Sequence, residues 1–222
     1  NDEIPFLRQY STAIIANIAG NTIDDYCQMA EILFDADIDA IELNVSCPNV
    51  KSGCMVFGNT PSGIAEITSL VKKRSRKPLI VKLTPNVLSI SEIARAAENA
   101  GADCISLINT LLGMAIDTEA RRPILYNNTG GLSGPAIKPI AVRMVYEAAQ
   151  AVKIPVIGMG GIMKGNDAIE FLLAGASAVM VGTENMIYPD ACVRVLEGIE
   201  QYMKAHRLKS IADITGKLEL NM

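Results

Sequence analysis

The sequence predicts an α/β fold: a (β/α)8 TIM barrel, of which this chain of 222 residues holds the last six βα units. Three observations predict it. Apolar runs of strand length alternate six times with segments of helical spacing. The runs are nearly continuous in apolar residues, as strands covered on both faces are. Polar or glycine positions fall at or just past the carboxyl end of every run, where a barrel builds its site.

In chain order, the strand Thr12–Ile18 (TAIIANI) is followed by helical spacing over Ile23–Phe34, which opens after Asn21 and Thr22. Ala40–Val45 precedes Ser62–Lys73, itself preceded by Thr60-Pro61. Leu79–Leu83 precedes Ser89–Asn99, and Cys104–Ile108 precedes Ile137–Val152 after a long excursion. Pro155–Met159 leads to Asn166–Ala174 and Ala178–Val181 to Asp190–Ala205, helices that open at Asn or Asp, both favoured N-caps. Ala100-Gly101-Ala102 and Ala174-Gly175-Ala176 end two helices with glycine at the C′ position. Such alternation implies parallel strands joined by right-handed crossovers. An open doubly wound sheet satisfies it too, but gathers its unusual residues at one switch point. Here Asn17, Asn44, Lys82, Asn109, Gly160-Gly161 and Gly182-Thr183 are spread over all six strand ends, which selects the barrel. Six units fall short of eight, and the length falls short of the typical ~250 residues. Two N-terminal units are therefore expected to be missing, and residues 1–222 read as a single, N-terminally incomplete barrel domain.

Composition narrows the function classes. Half the residues are hydrophobic, 20% are charged and mean hydropathy is +0.26, which excludes a disordered chain. A net charge of −4 without a basic tract argues against nucleic acid as a partner. With no Trp and 5% aromatics, a carbohydrate groove or base-stacking platform has little to work with. No apolar run reaches the ~18–20 residues of a membrane span, and NDEIPFLRQYS is not a secretory signal. Five scattered cysteines without a CxxC pair argue against zinc or an iron–sulfur cluster on this chain, so no metal site is expected. Reduced thiols and a cytoplasmic location follow. The one histidine, His206, lies in a basic C-terminal stretch remote from every strand end.

Several strand ends carry candidate chemistry. The last two strands end in Gly158-Met159-Gly160-Gly161 and Val181-Gly182-Thr183, and loops there commonly bind phosphate through backbone N–H groups. Glycine permits close approach of backbone to ligand; the plain alternative is that these glycines only allow tight turns. The GxGxxG pattern of a nicotinamide site is absent. Lys82 sits inside an apolar strand, where an ammonium needs an anionic partner: either Glu42 on the neighbouring strand or a ligand in the barrel mouth. Asn44-Val45-Ser46-Cys47-Pro48-Asn49 brings amides, a hydroxyl and a thiol to the same rim. Cys47 there is a candidate base or nucleophile, with Cys54 as its rival. Cys27, Cys104 and Cys192 read as structural. The excursion Leu111 to Gly134 holds Asp117, Arg121, Arg122 and a glycine-rich stretch, and is either a ligand cover or a solvated loop.

Taken together, ELNVSCPNV, VKLTPNV, INTLLGM, NNTGGLSGPAIKP, GMGGI and VGT, in that order, closely resemble the dihydroorotate dehydrogenase family over essentially the whole chain. Cysteine in the SCPN loop is similar to the soluble family 1 enzymes, and GGLSGPAIKP to the catalytic subunit of subfamily 1B. The resemblance implies FMN-dependent oxidation of (S)-dihydroorotate to orotate in pyrimidine biosynthesis. It implies that Cys47 removes the C5 proton while hydride passes from C6 to flavin N5. Asn44, Asn49, Asn109 and Thr110 would bind substrate; Asn17, Asn44, Lys82, Ile108, Gly134, Gly160, Gly161, Gly182 and Thr183 would contact FMN, the last four at its phosphate. It further implies a homodimer whose electrons reach NAD through a partner subunit carrying FAD and a [2Fe–2S] cluster. The missing first strands would supply further substrate and flavin contacts, so the piece alone is expected to be inactive or incompletely folded. Open alternatives are a subfamily 1A enzyme reducing fumarate, a flavin-free phosphate-binding barrel enzyme, and a non-catalytic FMN-binding remnant.

Overall fold

A computed structural model describes residues 2–45 and 57–221. In chain order the elements are α1 (Glu3–Leu7), β1 (Ile15–Ile18), α2 (Ile23–Ile32), β2 (Ala40–Asn44), α3 (Pro61–Arg74), β3 (Leu79–Lys82), α4 (Ile90–Asn99) and β4 (Cys104–Leu107). The excursion follows, with β5 (Leu111–Gly113), β6 (Ile116–Asp117), β7 (Arg122–Pro123) and β8 (Gly130–Leu132). Then come a 3-10 turn (Pro135–Ile137), α5 (Lys138–Ala151), β9 (Val156–Met159), α6 (Gly165–Leu173), β10 (Ala178–Met180), α7 (Thr183–Ile187), α8 (Ala191–Ala205) and a second 3-10 turn (Ile211–Asp213).

Six strands form one parallel sheet in the order β1-β2-β3-β4-β9-β10, which is chain order. A monotonic order with crossovers of one hand places every helix on the same face. Successive long helices do pack on one another, α2 on α3, α3 on α4, and so on to α6 on α8. The main core lies between that layer and the sheet; Ile41, Leu43, Leu79, Val81, Ile105, Leu107 and Phe171 are fully buried there. Alternate residues on the same strands point the other way. Ala40, Ile80 and Ile157 form a small second cluster against Cys104 and Met180, with the polar Glu42 and Ser106 buried beside them. An open doubly wound sheet carries helices on both faces; this sheet has an inner face of its own, the wall of a partial barrel. Among the described residues β1 pairs only with β2 and β10 only with β9.

Local chemistry sets the element starts. Thr22 caps α2, accepting from the Asp25 N–H at 3.2 Å while the Asp25 carboxylate accepts from the Asn21 and Thr22 N–H groups. Thr60 accepts from the Gly63 N–H at 3.1 Å to start α3, and Ser89 from Glu92 to start α4. Gly101 and Gly175 follow their helices at φ +101° and +114°, as the C′ reading requires. Two N-cap readings change. The carboxylate that caps α6 is Asp167, accepting from the Met163 and Lys164 N–H groups at 3.0 Å, so Asn166 lies one residue inside the helix. Asp190 precedes α8 without a side-chain capping bond. The excursion is not irregular throughout: β5 pairs with β8 and β6 with β7, antiparallel ladders too short to display a two-residue period in sequence.

Candidate active site

At the carboxyl ends of β3, β4, β9 and β10 a cleft of about 280 Å³ opens on the inner face. It gathers Lys82 from β3, Ile108, Asn109 and Thr110 from the end of β4, and Gly134 from the excursion. The ends of β9 and β10 add Gly160, Gly161, Gly182 and Thr183. Ser133, Ile137, Met159, Met180 and Val181 also line it; they are ordinary residues whose position no local pattern marks.

One end of the cleft suits an anion. The backbone N–H groups of Gly160, Gly161, Gly182 and Thr183 have no acceptor among the described residues, and Thr183 Oγ1 lies 3.2 Å from Ser133 Oγ. Converging unpaired amides are the usual protein ligand for phosphate. Glycine at 161 is demanded by more than the turn. Its φ is +79°, and a Cβ would meet Gly134 O at 2.7 Å and Lys138 Cβ at 2.9 Å. Behind this cradle the Lys138 ammonium donates to Asp167 at 2.7 Å and to Glu170 at 2.5 Å. Those two hydrogen bonds raise the Lys138 pKa. Burial pushes Asp167 up, but Lys138 and the Met163 and Lys164 amides outweigh it and hold the carboxyl below its ordinary range.

The other end carries amides and an ammonium. Asn109 Nδ2 donates to Asn44 Oδ1 at 3.3 Å, and Asn109 Oδ1 accepts from the Thr110 N–H at 2.7 Å. Asn44 is tied from behind, its carbonyl accepting from Tyr26 Oη at 2.9 Å. Asn86 holds the same region together, donating to Thr110 O at 3.1 Å and accepting from the Leu112 N–H at 3.2 Å. The Leu107–Ile108 peptide beside them is cis. Lys82 is half-buried and has no ion pair among the described residues. The pairing with Glu42 is absent, because Glu42 points one register row deeper and accepts from Asn17 Nδ2 and from Ser106 Oγ (2.6 Å). Asn17 thus joins the inner face through Glu42 rather than through the cleft wall. Cys47, Asn49 and Cys54 lie outside the described residues. Of the other thiols, Cys27 is buried as a structural cysteine should be, whereas Cys192 is exposed on α8. Among the described residues no group of three His, Cys, Asp or Glu side chains is placed to hold a metal ion.

The family model described as dihydroorotate dehydrogenase matches residues 2–203. The chain belongs to the dihydroorotate dehydrogenase family. Its curated relatives include the dihydroorotate dehydrogenase B (NAD(+)) catalytic subunit of Alkaliphilus oremlandii, 63% identical over 217 residues, covering 98% of this chain and 72% of that protein. The same subunit of Alkaliphilus metalliredigens is 61% identical, with 97% and 72% covered. That of Bacteroides fragilis is 54% identical, with 99% and 73% covered. Among solved structures, DHODH from Eimeria tenella in complex with ferulenol superposes with a TM-score of 0.81 at 22% identity, over 97% of this chain and 64% of that one. At that identity the likeness speaks to the fold, the dihydroorotate dehydrogenase barrel. Asn86, Tyr26 and Lys138 are neighbours of the cleft that sequence reading passed over; VKLTPNV and GPAIKP held two of them in plain view, without a signal that they brace the rim.

Proposed function

We propose that this chain oxidises (S)-dihydroorotate to orotate in pyrimidine biosynthesis, with FMN in the cleft and electrons passed to NAD through a separate subunit. The single observation that carries the reading is the polarity of the cleft: among the described residues, four unpaired backbone amides and a threonine hydroxyl at one end, an ammonium without an ion-pair partner at the other. That polarity fits a ligand with a phosphate tail and an electron-rich ring, and the family assignment names the chemistry. FMN, when bound, supplies a hydride acceptor at its N5 for the substrate C6.

The chain's own groups do the rest. Gly160, Gly161, Gly182 and Thr183 hold the phosphate, and Gly134 and Ile108 form the cleft walls beside it. Lys82 holds a positive charge where reduced flavin gathers negative charge, so it favours the reduced state. Asn44 and Asn109, already locked to one another and backed by Tyr26 and Asn86, present amides to the substrate with little freedom to lose. Thr110 and Asn49 add polar contacts. Cys47 takes the C5 proton; its sequence neighbourhood supports the role, as does the position of His206 beyond α8, far along the chain from every strand end. The NAD(+) names of the curated relatives support subfamily B, hence a partner carrying FAD and a [2Fe–2S] cluster, a homodimeric catalytic core and a cytoplasmic setting.

The test is an anaerobic visible spectrum of the full-length protein before and after addition of dihydroorotate. A flavin band that bleaches is expected. A band that persists would overturn the oxidation, and a colourless protein would overturn FMN itself.

A further inference from the structure

We infer that Glu42, which no part of the proposed reaction uses, is a positioning residue that sets the hydrogen-bond polarity of the inner face beside the cleft. The inference rests on the FMN reading above. Glu42 lies on the inner face of β2 and is only 4% exposed. A carboxylate so buried is unfavourable unless its oxygens are satisfied. Here one oxygen accepts from Asn17 Nδ2 on β1 and the other from Ser106 Oγ on β4. The other groups facing it are Cys104 and Lys82, both on this face. Burial pushes the Cys104 thiol up to about 11, so that group stays neutral.

An ionised carboxylate can only accept. Asn17 must therefore turn its NH2 toward Glu42, which leaves its carbonyl oxygen as an acceptor. Ser106 gives up its one hydrogen, which leaves only lone pairs. Glu42 thus fixes the exposed Asn17 as an acceptor, while the fully buried Ser106 anchors the carboxylate from the other side. Lys82 is the register partner of Ser106 and of Asn44, and provides the complementary cation in the row above. The carboxylate supports that ammonium electrostatically without consuming its hydrogens. The Asn17 carbonyl so presented, exposed on the inner face, accepts from an N–H of the flavin's pyrimidine ring, and the negative charge of Glu42 opposes the charge gained on reduction.

The experiment is to measure FMN affinity by fluorescence titration and the flavin midpoint potential in the FMN-loaded protein, for Glu42→Gln and Glu42→Asp beside the unaltered chain. Glutamine keeps the shape, removes the charge and lets the Asn17 amide flip. Oxidised FMN should bind about tenfold more weakly, and the ratio of reduced to oxidised affinity should rise about tenfold, a potential about 30 mV higher for a two-electron couple. Aspartate keeps the charge but retracts it, so affinity should fall while the potential stays put. A Gln variant with unchanged potential and affinity overturns the inference. So does an Asp variant whose potential rises as much as that of Gln, since loosening rather than charge would then be responsible. If the Gln variant does not fold, the split between affinity and potential in the Asp variant decides alone. An unaltered protein that binds no FMN brings down the flavin reading, and this inference with it.

Discussion

In the proposed reaction Cys47 is the residue on which the chemistry turns. Cys47→Ala should retain FMN and lose dihydroorotate-driven flavin reduction by about 10³-fold or more in anaerobic stopped-flow. An ordinary thiol ionises near pH ~8.5, so the rate of that step should climb with pH up to that range and then level off. Near-normal reduction in the variant would transfer the role to Cys54. The remaining thiols differ by environment. Burial raises the pKa of both Cys27 and Cys104, the latter to about 11, whereas Cys192 is exposed beside Asn185. Mapping iodoacetamide adducts by mass spectrometry at pH 8 should find Cys192 labelled well before Cys27 or Cys104. Equal labelling of the three would show that the inner face is open to reagent. The single-residue signal of a lysine inside an apolar strand was legible from type and context. The partner of Lys82 was not: Glu42 stands near it in every two-strand alignment, and only the register row shows it turned toward Asn17 and Ser106.

Among the elements, α6 shows how packing overrides local preference. A Cβ on Gly165 would meet the backbone of Gly198 in α8 at 2.5 Å, so the two helices cross at glycine contact. Gly165→Ala should cost about 1–3 kcal/mol as the helices part, read as a lower urea midpoint. The same substitution at Gly161 strains a positive φ and pushes on Gly134 and Lys138. It should weaken FMN binding more than it lowers the unfolding midpoint, and an unchanged FMN titration would remove the cradle from the phosphate role. Element boundaries were legible to within a few residues. Four strands were read one residue too far, to Val45, Leu83, Ile108 and Val181, because these positions stay apolar after the ladder ends. Apolarity reports burial, and burial continues past the last strand residue into the rim.

For the whole molecule, pH reaches stability through a few carboxylates. The Ile14 N–H and then Arg8 lower Asp39, and the Asn21 and Thr22 N–H groups lower Asp25. Asp167 is lowered in spite of its burial. Each is more acidic folded than unfolded, so each stabilises above the unfolded value of about 3.9, and that contribution is lost as pH falls through the folded pKa. Lys138, with its pKa raised, behaves oppositely: its contribution is full below about 10.4 and is lost at higher pH. Urea midpoints should therefore be flat near neutrality and fall below pH ~4. Asp167→Asn should lower the plateau and flatten the acid limb. An acid limb identical to that of the unaltered chain would exclude Asp167 from the linkage.

The sequence by itself determined the alternation of strand and helix, the parallel sheet and the rim at which the cleft opens. Hydrophobic periodicity and the placement of glycine, asparagine and lysine are local properties, and a βα unit is a local object. Its ordered motifs also determined the family. Only the tertiary structure decided which polar groups meet: Glu42 with Asn17 and Ser106, Asn44 with Asn109, Lys138 with Asp167. Those pairings join residues 25 to 65 apart in the chain. The pairings on the sheet depend on strand register and on the side each residue faces, and a shift of one residue would reverse them; Lys138 with Asp167 depends instead on how α5 packs on α6.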